Sequence, residues 1–355
     1  MTRKDFLTFI SSFDLTCKKL HKLFSTFQDE EFSFDCIYEK EFLKIVGEEA
    51  LEKIKQNANE NYLNKYKEEL LEKKIKLISY EDDDYPQRLV NMTDAPFFLF
   101  CKGDLSLLNK IGVAIIGTRM PTSYGKVITE RFAADLAKNG VVIISGLAYG
   151  VDSISHRKAL EVGGKTIAVL GGGFDKIYPS EHTDLAREIA EKGLLVSEYS
   201  PKFLASRYTF PQRNRIVAGL SSGVLITEAG AKSGTIITKD YALDNGITIY
   251  AVPGNITSEK SACTNNIILH SQGLCVLSAR DILEDLGLNC ESQKKAIQLT
   301  LEEEKIVELL GEGDKDMDFL CQNLGLEAKK VSSLLVNLEI RDIIKKVAGG
   351  MWTLS

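Results

Sequence analysis

Short apolar runs, each followed by a helix-length segment, recur along the middle of the chain. Runs this uniformly apolar are typical of strands that pair in parallel and are buried by helices on both faces. The pattern therefore predicts an α/β core with a Rossmann-like, doubly wound, mostly parallel sheet. The predicted strands of this core are Ile111 to Ile116, Val141 to Ile144, Thr166 to Leu170, Leu194 to Val196, Val224 to Thr227 and Ile247 to Val252, with the runs 75–80 and 97–101 before them.

The two ends of the chain have helical spacing instead. Apolar residues such as Phe6, Phe9, Ile10 and Phe13 recur every three or four positions, which predicts a small N-terminal helical domain. Three helical segments and a hairpin pattern after residue 299 predict a winged helix. The predicted domains are helical 1–70, Rossmann-like 71–288, a polar linker 289–298 and winged helix 299–355.

Composition narrows the class of protein. The 355 residues carry a net charge of -6, which excludes a uniformly basic polyanion binder. The seven cysteines form no C-x-x-C pair and the four histidines no H-x-x-x-H pair, so we expect reduced thiols and no metal site. A Walker A loop and a G-x-G-x-x-G fingerprint are both absent from the sequence, so we expect no nucleotide cofactor. Without a signal peptide or an apolar stretch of ~20 residues, the predicted location is cytoplasmic.

Candidate chemistry follows the predicted strands, where an open α/β sheet binds its ligand. Small turns, hydroxyls and cations gather at these ends and suit an anion. They also fit simpler explanations: a helix cap beside a solvated arginine, a tight glycine turn (Gly171 to Gly173), or a structural histidine at His156. The candidates here are Gly117, Thr118, Arg119, Ser145, Gly146, Lys232, Ser233, Gly234 and Thr235.

A locally basic segment spans residues 200–240, where six Lys and Arg face two acidic residues, a net charge of +4. Cations interleaved with Tyr199, Phe203, Tyr208 and Phe210 suit single-stranded nucleic acid, which needs phosphate contacts and stacking surfaces. The alternative is that the arginines pair with Glu198 or Glu228 and the aromatic rings fill the core. The candidates here are Arg207, Phe210, Arg213, Asn214 and Arg215.

Five groups of motifs follow one another along the chain. They are Gly117-Thr118-Arg119, Ser145-Gly146-Leu147-Ala148 with Asp152 and His156, the P-Q-R-N-R run 211–215, Glu228 with Ser233-Gly234-Thr235, and Ala251-Val252-Pro253-Gly254 with Thr264-Asn265. Motifs in this order resemble the DNA-processing protein A (DprA/Smf) family. The N-terminal helices, similar to a sterile alpha motif, and the winged helix also resemble the longer members.

The resemblance implies a bacterial protein that binds and protects single-stranded DNA during natural transformation and recombination, and that helps to load RecA. It implies a homodimer formed through the Rossmann-like domain, without catalysis and without a membrane. The positions matching Arg119, Ser145, Gly146 and Arg213 to Arg215 would contribute to the DNA site. Arg207 and Phe210 are added for charge and stacking.

The chain also departs from the family pattern. Tyr149 stands where the family usually has Arg, Ser155 where Ala precedes the His, and Cys263 where Gly commonly precedes Thr-Asn. Residues 296–355 contain eleven acidic and seven basic residues, a net charge of -4, so the winged helix is expected to read duplex DNA poorly and to act as an interaction module.

A nucleotide-processing enzyme remains the alternative, because phosphoribohydrolases also combine a Rossmann-like sheet with a glycine-rich turn near an acidic residue. Glu228 would be the acid or base. Glu228, however, precedes Ser233-Gly234-Thr235 rather than following it, and Asp152 has no evident catalytic partner in the sequence.

Overall fold

The computed structural model describes residues 1–28, 32–288, 299–340, 343–347 and 350–354. The chain divides into two compact units, Met1–Cys290 and Glu291–Ser355. The predicted linker 289–298 lies outside the described residues.

Among the described residues, five α-helices precede the sheet, and they pack around a core rich in phenylalanine. Thr2 and Asp5 form a capping box at the start of the first helix, and the Asn59 side chain caps the fifth. Phe6 stacks on Phe32 with ring centroids 4.5 Å apart. The helices are α1 (Arg3–Ser11), α2 (Cys17–Thr26), α3 (Lys40–Val46), α4 (Glu48–Asn57) and α5 (Glu60–Glu72).

Nine strands form one sheet. They are β1 (Lys76–Ser79), β2 (Phe98–Gly103), β3 (Gly112–Ile116), β4 (Val142–Ser145), β5 (Thr166–Leu170), β6 (Leu194–Ser197), β7 (Gly223–Ile226), β8 (Thr248–Ala251) and β9 (Leu274–Cys275). Their order is β1-β2-β6-β5-β4-β3-β7-β8-β9. The strands from β6 to β9 in this order pair in parallel, whereas β2 is antiparallel to both β1 and β6.

Alternate strand residues point into two different cores, as a sheet covered on both faces requires. On β3, Val113 and Ile115 belong to one core, and Ala114 and Ile116 to the other. The α-helices that follow β1 in this unit are α6 (Gln87–Val90), α7 (Ser123–Lys138), α8 (Val151–Glu161), α9 (Thr183–Lys192), α10 (Thr209–Leu220), α11 (Thr235–Asp244), α12 (Ala262–Leu269) and α13 (Ala279–Asp285). The predicted Rossmann-like fold is confirmed.

The N-terminal helices share their core with the start of the sheet. Phe97, Phe98 and Phe100, in or next to β2, are buried in the same cluster as Phe6 and Phe24, and Phe24 stacks on Phe97 at 4.8 Å. The predicted division between residues 70 and 71 therefore falls inside one compact unit. As a domain boundary it stays a prediction.

In its described residues, the C-terminal unit has three helices and a two-stranded antiparallel sheet. They are α14 (Leu301–Gly311), α15 (Met317–Leu324), α16 (Ala328–Ile340), β10 (Ile344–Lys346) and β11 (Trp352–Leu354). Its core includes Ile306, Leu320, Leu335 and Trp352. This is the predicted winged helix.

Candidate nucleic-acid interface

A cleft of about 720 Å³ opens at the carboxyl edge of the sheet. The chain builds β4, β5 and β6 on one side of β3 and then returns to add β7 on the other side, so the crevice lies where such sheets bind ligands. Among the predicted residues, those lining the cleft are Gly117, Arg119, Gly146, Arg207, Phe210, Arg213, Asn214, Ser233, Gly234 and Thr235.

Two exposed arginines give the cleft its free positive charge. Arg119 follows β3, and Arg207 comes just before α10. Arg207 donates a 2.5 Å hydrogen bond to the Tyr208 hydroxyl, and its guanidinium lies 4.7 Å from that ring's centroid. Across the described parts of the chain, no carboxylate lies within ion-pair distance of either arginine. Both can therefore bind an anion without first breaking an ion pair.

Arg213 serves the turn between β4 and α8 instead. Its buried guanidinium donates to the carbonyl oxygens of Gly146 and Val169. A Cβ at position 146 would come within 2.4 Å of that guanidinium, so the close approach requires glycine. The Asp152 carboxylate accepts from the amides of Gly146 and Ala148 at 3.1 and 3.3 Å. Burial raises the pKa of Asp152, and the nearby Arg213 charge opposes that rise. The pair shapes the turn beneath the cleft.

Two aromatic side chains also line the cleft. Tyr178, 57% exposed, lies 5.2 Å from the half-buried Phe210 ring, centroid to centroid. Tyr178 is not among the candidate site residues predicted from the sequence, although it follows the third glycine turn. Tyr199 and Phe203 do not line this cleft, and their rings stack on each other with centroids 4.4 Å apart.

The triple glycine has a steric cause beyond a tight turn. A Cβ at Gly171 would lie 2.7 Å from the Phe210 ring, and one at Gly172 would lie 2.7 Å from the Ala205 nitrogen. At Gly173 it would lie 2.2 Å from the backbone oxygens of residues 200 and 201. The glycines let the connection between β6 and α10 pack directly on the turn after β5.

Other predicted residues lie outside the cleft lining. The Ser145 hydroxyl is buried and donates to the Ile115 oxygen at 2.7 Å, and the Thr118 hydroxyl accepts from the Met120 amide at 3.2 Å. Lys232 is exposed on the turn before α11 and does not line the cleft, although the next residue, Ser233, does. Arg215 is buried: its Nη2 donates to both Glu198 oxygens at 2.5 Å.

Much of the positive charge counted over residues 200–240 is already paired. Besides Arg215, Lys202 contacts Glu69 at 2.7 Å and Lys239 contacts Asp240 at 3.1 Å. Arg215 thus forms the ion pair with Glu198 that the alternative interpretation named. The segment is less basic at its surface than its sequence suggests.

His156 and Glu228 have structural partners. His156 is fully buried, with Nδ1 2.5 Å from the Thr166 hydroxyl, and burial lowers its pKa to about 3. The Glu228 carboxylate accepts from the Thr122 amide at 2.8 Å and the Thr122 hydroxyl at 2.6 Å. It faces a separate cavity of about 490 Å³ rather than the cleft. Both Glu228 oxygens hold the start of α7.

Comparison with known proteins decides the family. The model of the DNA recombination-mediator protein A family matches residues 76–287, and the DprA winged helix domain matches residues 291–350. The chain belongs to the DNA processing protein A (DprA/Smf) family. The resemblance inferred from the motifs is confirmed.

Similar DprA/Smf proteins come from several bacteria. A DNA processing protein DprA of Bacillus subtilis is 40% identical over 217 residues, 61% of this chain and 72% of that protein. Protein Smf of Escherichia coli is 35% identical over 286 residues, 77% of this chain and 76% of that protein.

Solved DprA structures agree with the fold. The X-ray structure of DprA from Streptococcus pneumoniae superposes with a TM-score of 0.70 at 33% identity, covering 80% of this chain and 98% of that one. A Helicobacter pylori DprA structure, described for its unique single-stranded DNA binding mode, has a TM-score of 0.54 at 35% identity. It covers 59% of this chain and 95% of its own.

The departures from the DprA pattern have distinct surroundings. Tyr149 is exposed, its ring lies 5.1 Å from that of His182, and a hydrogen bond to Glu181 raises its pKa. Ser155 is buried and donates to the Asp152 carbonyl oxygen at 2.8 Å. Cys263 is buried in the sheet core. Tyr149 is uncharged, so it supplies no cation at this position.

Proposed function

We propose that this chain binds single-stranded DNA in the cleft, largely without sequence preference. The observation that carries the proposal is the pairing of two uncompensated arginines, Arg119 and Arg207, with the rings of Tyr178 and Phe210 in one cleft. The single-stranded DNA binding described for the H. pylori relative supports it.

Each part of the cleft suits one part of a DNA strand. The arginines would bind phosphates, and the turn containing Gly117 brings backbone close to the ligand. Bases freed from a duplex would stack on Tyr178 and Phe210, as every base has a face that an aromatic ring can cover. A duplex hides those faces, so the cleft favours single strands.

The proposal extends to the biological role that the family resemblance implies. The chain would protect incoming DNA during natural transformation and recombination, help to load RecA, form a homodimer through its Rossmann-like domain, and act in the cytoplasm. Among the described residues, no helix is long and apolar enough to cross a membrane. The role would be binding, not catalysis.

Fluorescence anisotropy with a labelled oligonucleotide tests the binding. The unsubstituted chain should bind the single strand tightly and its duplex weakly, and affinity should fall steeply between two salt concentrations. The double variant Arg119→Ala/Arg207→Ala should lose most of this binding. Affinity that ignores both salt and the double substitution would refute the cleft as the DNA site.

A product assay separates binding from nucleotide processing. AMP and related nucleoside monophosphates should remain intact, because both Glu228 oxygens are engaged by Thr122. Turnover that the Glu228→Gln variant abolishes would establish the enzymatic alternative instead.

A further inference from the structure

The turn between α1 and α2 reaches across to the connection that precedes α10. Asp14, in that turn, accepts the Ser200 amide at 2.7 Å and the Ser200 hydroxyl at 2.6 Å. Its backbone has φ of 47°, a conformation in which Asp, Asn and Gly are favoured. The residue type thus suits both the turn and the contact.

The end of α5 makes a second connection to the same region. Glu69 contacts Lys73 and Lys202 at 2.7 Å each, and Lys73 contacts Asp175 at 2.6 Å. Lys202 follows β6 and Asp175 follows β5. The N-terminal helices therefore hold two loops of the sheet through one chain of alternating charges.

Those two loops are also bonded to each other. The Gly173 amide donates to the Phe203 oxygen at 2.8 Å, and the Asp175 amide donates to the Pro201 oxygen at 2.9 Å. The connection between β6 and α10 then continues into Ala205, Ser206 and Arg207, which line the cleft. The residues that form one wall of the cleft thus directly follow, in the chain, the residues bonded to the N-terminal helices.

We propose that the N-terminal helices position this wall, with Asp14 and Glu69 as positioning residues that set Arg207 for phosphate contact. The inference rests on the proposed DNA binding in the cleft. Without the contacts to Ser200 and Lys202, residues 198–207 would spend less time in the binding conformation. The apparent affinity would then fall in proportion to the population of that conformation.

Substitutions at Asp14 separate the contact from the backbone turn. Asp14→Gly removes the carboxylate but accepts a φ of 47° without strain, whereas Asp14→Asn keeps both the turn and an acceptor for the Ser200 amide. We expect Asp14→Gly to weaken single-stranded DNA binding about three- to tenfold, and Asp14→Asn less than twofold.

The matched control is Lys67→Ala, which breaks an ion pair with Asp5 within the same helices. Among the described residues, neither member of that pair forms a hydrogen bond or ion pair with residues 198–207. Lys67→Ala should leave the affinity within twofold of the unsubstituted chain. If Asp14→Gly lowers the unfolding midpoint but leaves DNA affinity unchanged, Asp14 only stabilises the fold and the proposal fails.

A double-variant cycle with Arg207→Ala tests whether Asp14 affects DNA affinity by positioning Arg207. Asp14→Gly should cost less than twofold when Arg207 is already absent, because the residue it positions is gone. An equal loss in both backgrounds would overturn positioning through Arg207.

Hydrogen exchange keeps this inference separable from DNA binding itself. Without DNA, Asp14→Gly should speed amide exchange in residues 198–207, and Lys67→Ala should not. If the unsubstituted chain binds no DNA, the proposed function fails, and with it the inferred role toward phosphate. Amide exchange in residues 198–207 would then still show whether the N-terminal helices restrain this segment. If Asp14→Gly leaves that exchange unchanged, the restraint is refuted as well.

Discussion

Arginine has opposite roles in the cleft and in the ion cluster formed by Arg215, Glu198 and Asp94. In the cleft, Arg119 and Arg207 are exposed and have no carboxylate partner among the described residues. In the ion cluster, Arg215 is buried against Glu198, with Asp94 at 3.5 Å from its Nε. A guanidinium is available to a ligand only where the protein has not already satisfied it, so the count of arginines overstates the binding surface.

The two regions differ in what they contribute as well as in exposure. A buried ion pair must compensate the removal of both charges from water, so breaking it leaves a costly lone charge. An exposed arginine stays hydrated and contributes little to folding. We therefore expect substitutions in the ion cluster to affect stability and substitutions in the cleft to affect binding.

The largest expected effect is the loss of stability in Arg215→Ala. The variant leaves Glu198 buried without its partner, which costs about 3–5 kcal/mol of unfolding free energy. Urea unfolding measures the change, and the affinity of the folded fraction for single-stranded DNA should fall less than it does in Arg119→Ala. The control is Arg187→Ala, which removes an exposed pair with Asp184 and should cost less than about 1 kcal/mol. A similarly small cost for Arg215→Ala would contradict a structural role.

Acid should destabilise the protein because protonation of His156 is disfavoured in the folded state, where the nearby Arg213 is positively charged. Burial, then the charges of Arg213 and His182, lower the pKa of His156 to about 3. His156 takes up a proton near pH 6.5 in the unfolded chain but not in the folded chain. The stability that the neutral His156 contributes is therefore complete above that pH and is lost as the pH falls below it.

The expected slope from His156 is ~1.4 kcal/mol per pH unit between about pH 6 and pH 4. Urea unfolding at several pH values measures it, and His156→Gln, which cannot titrate, should lose that part of the slope. NMR signals of the ring should stay those of a neutral imidazole down to pH 5. A ring that titrates above pH 5.5 would contradict the buried, neutral state.

The sequence predicted the sheet well because its information is local. Parallel strands buried on both faces are continuous apolar runs, and the described strands begin and end within a residue or two of those predicted. β9 was missed because it is only two residues long, Leu274 and Cys275, and both are exposed. A strand this short leaves no apolar run to recognise.

The site was less predictable because it depends on which way a helix faces. The basic segment was counted without a helical register, yet residues 211–215 lie in α10. With 3.6 residues per turn, positions 213 and 215 point about 200° apart, so Arg213 lies under the cleft and Arg215 lies against Glu198. Recognising the helix would have separated the two arginines.

Contacts between distant residues were out of reach of the sequence. Asp14 and Ser200 are separated by 186 positions, and no local pattern connects them. The triple glycine was recognised as requiring a backbone reason, but its neighbours, Phe210 and residues 200–205, become visible only in the fold.

In the cleft, Arg119→Ala should weaken single-stranded DNA binding roughly tenfold, equivalent to ~1.4 kcal/mol, since it removes one of the proposed phosphate contacts. The slope of log affinity against log salt should fall by about 0.7 for that contact. Anisotropy titrations measure both, and urea unfolding should show no change. The control is Arg131→Ala, an exposed arginine on α7 outside the cleft lining. If Arg119→Ala lowers the stability and leaves DNA binding unchanged, Arg119 has a structural role like that of Arg215, and the contrast between the two regions is wrong.

The smallest expected effect is at Lys232, which distinguishes a charge near the cleft from a charge in it. Lys232 is exposed and does not line the cleft, whereas its neighbours Ser233 and Gly234 do. A cation outside the contact distance acts on the strand through solvent and is screened within about 10 Å at 0.1 M salt. Lys232→Ala should therefore weaken binding about twofold at low salt and have no measurable effect at high salt. A tenfold loss that persists in high salt would mean that the strand leaves the cleft over the start of α11, and the phosphate path would then include Lys232 as a direct contact.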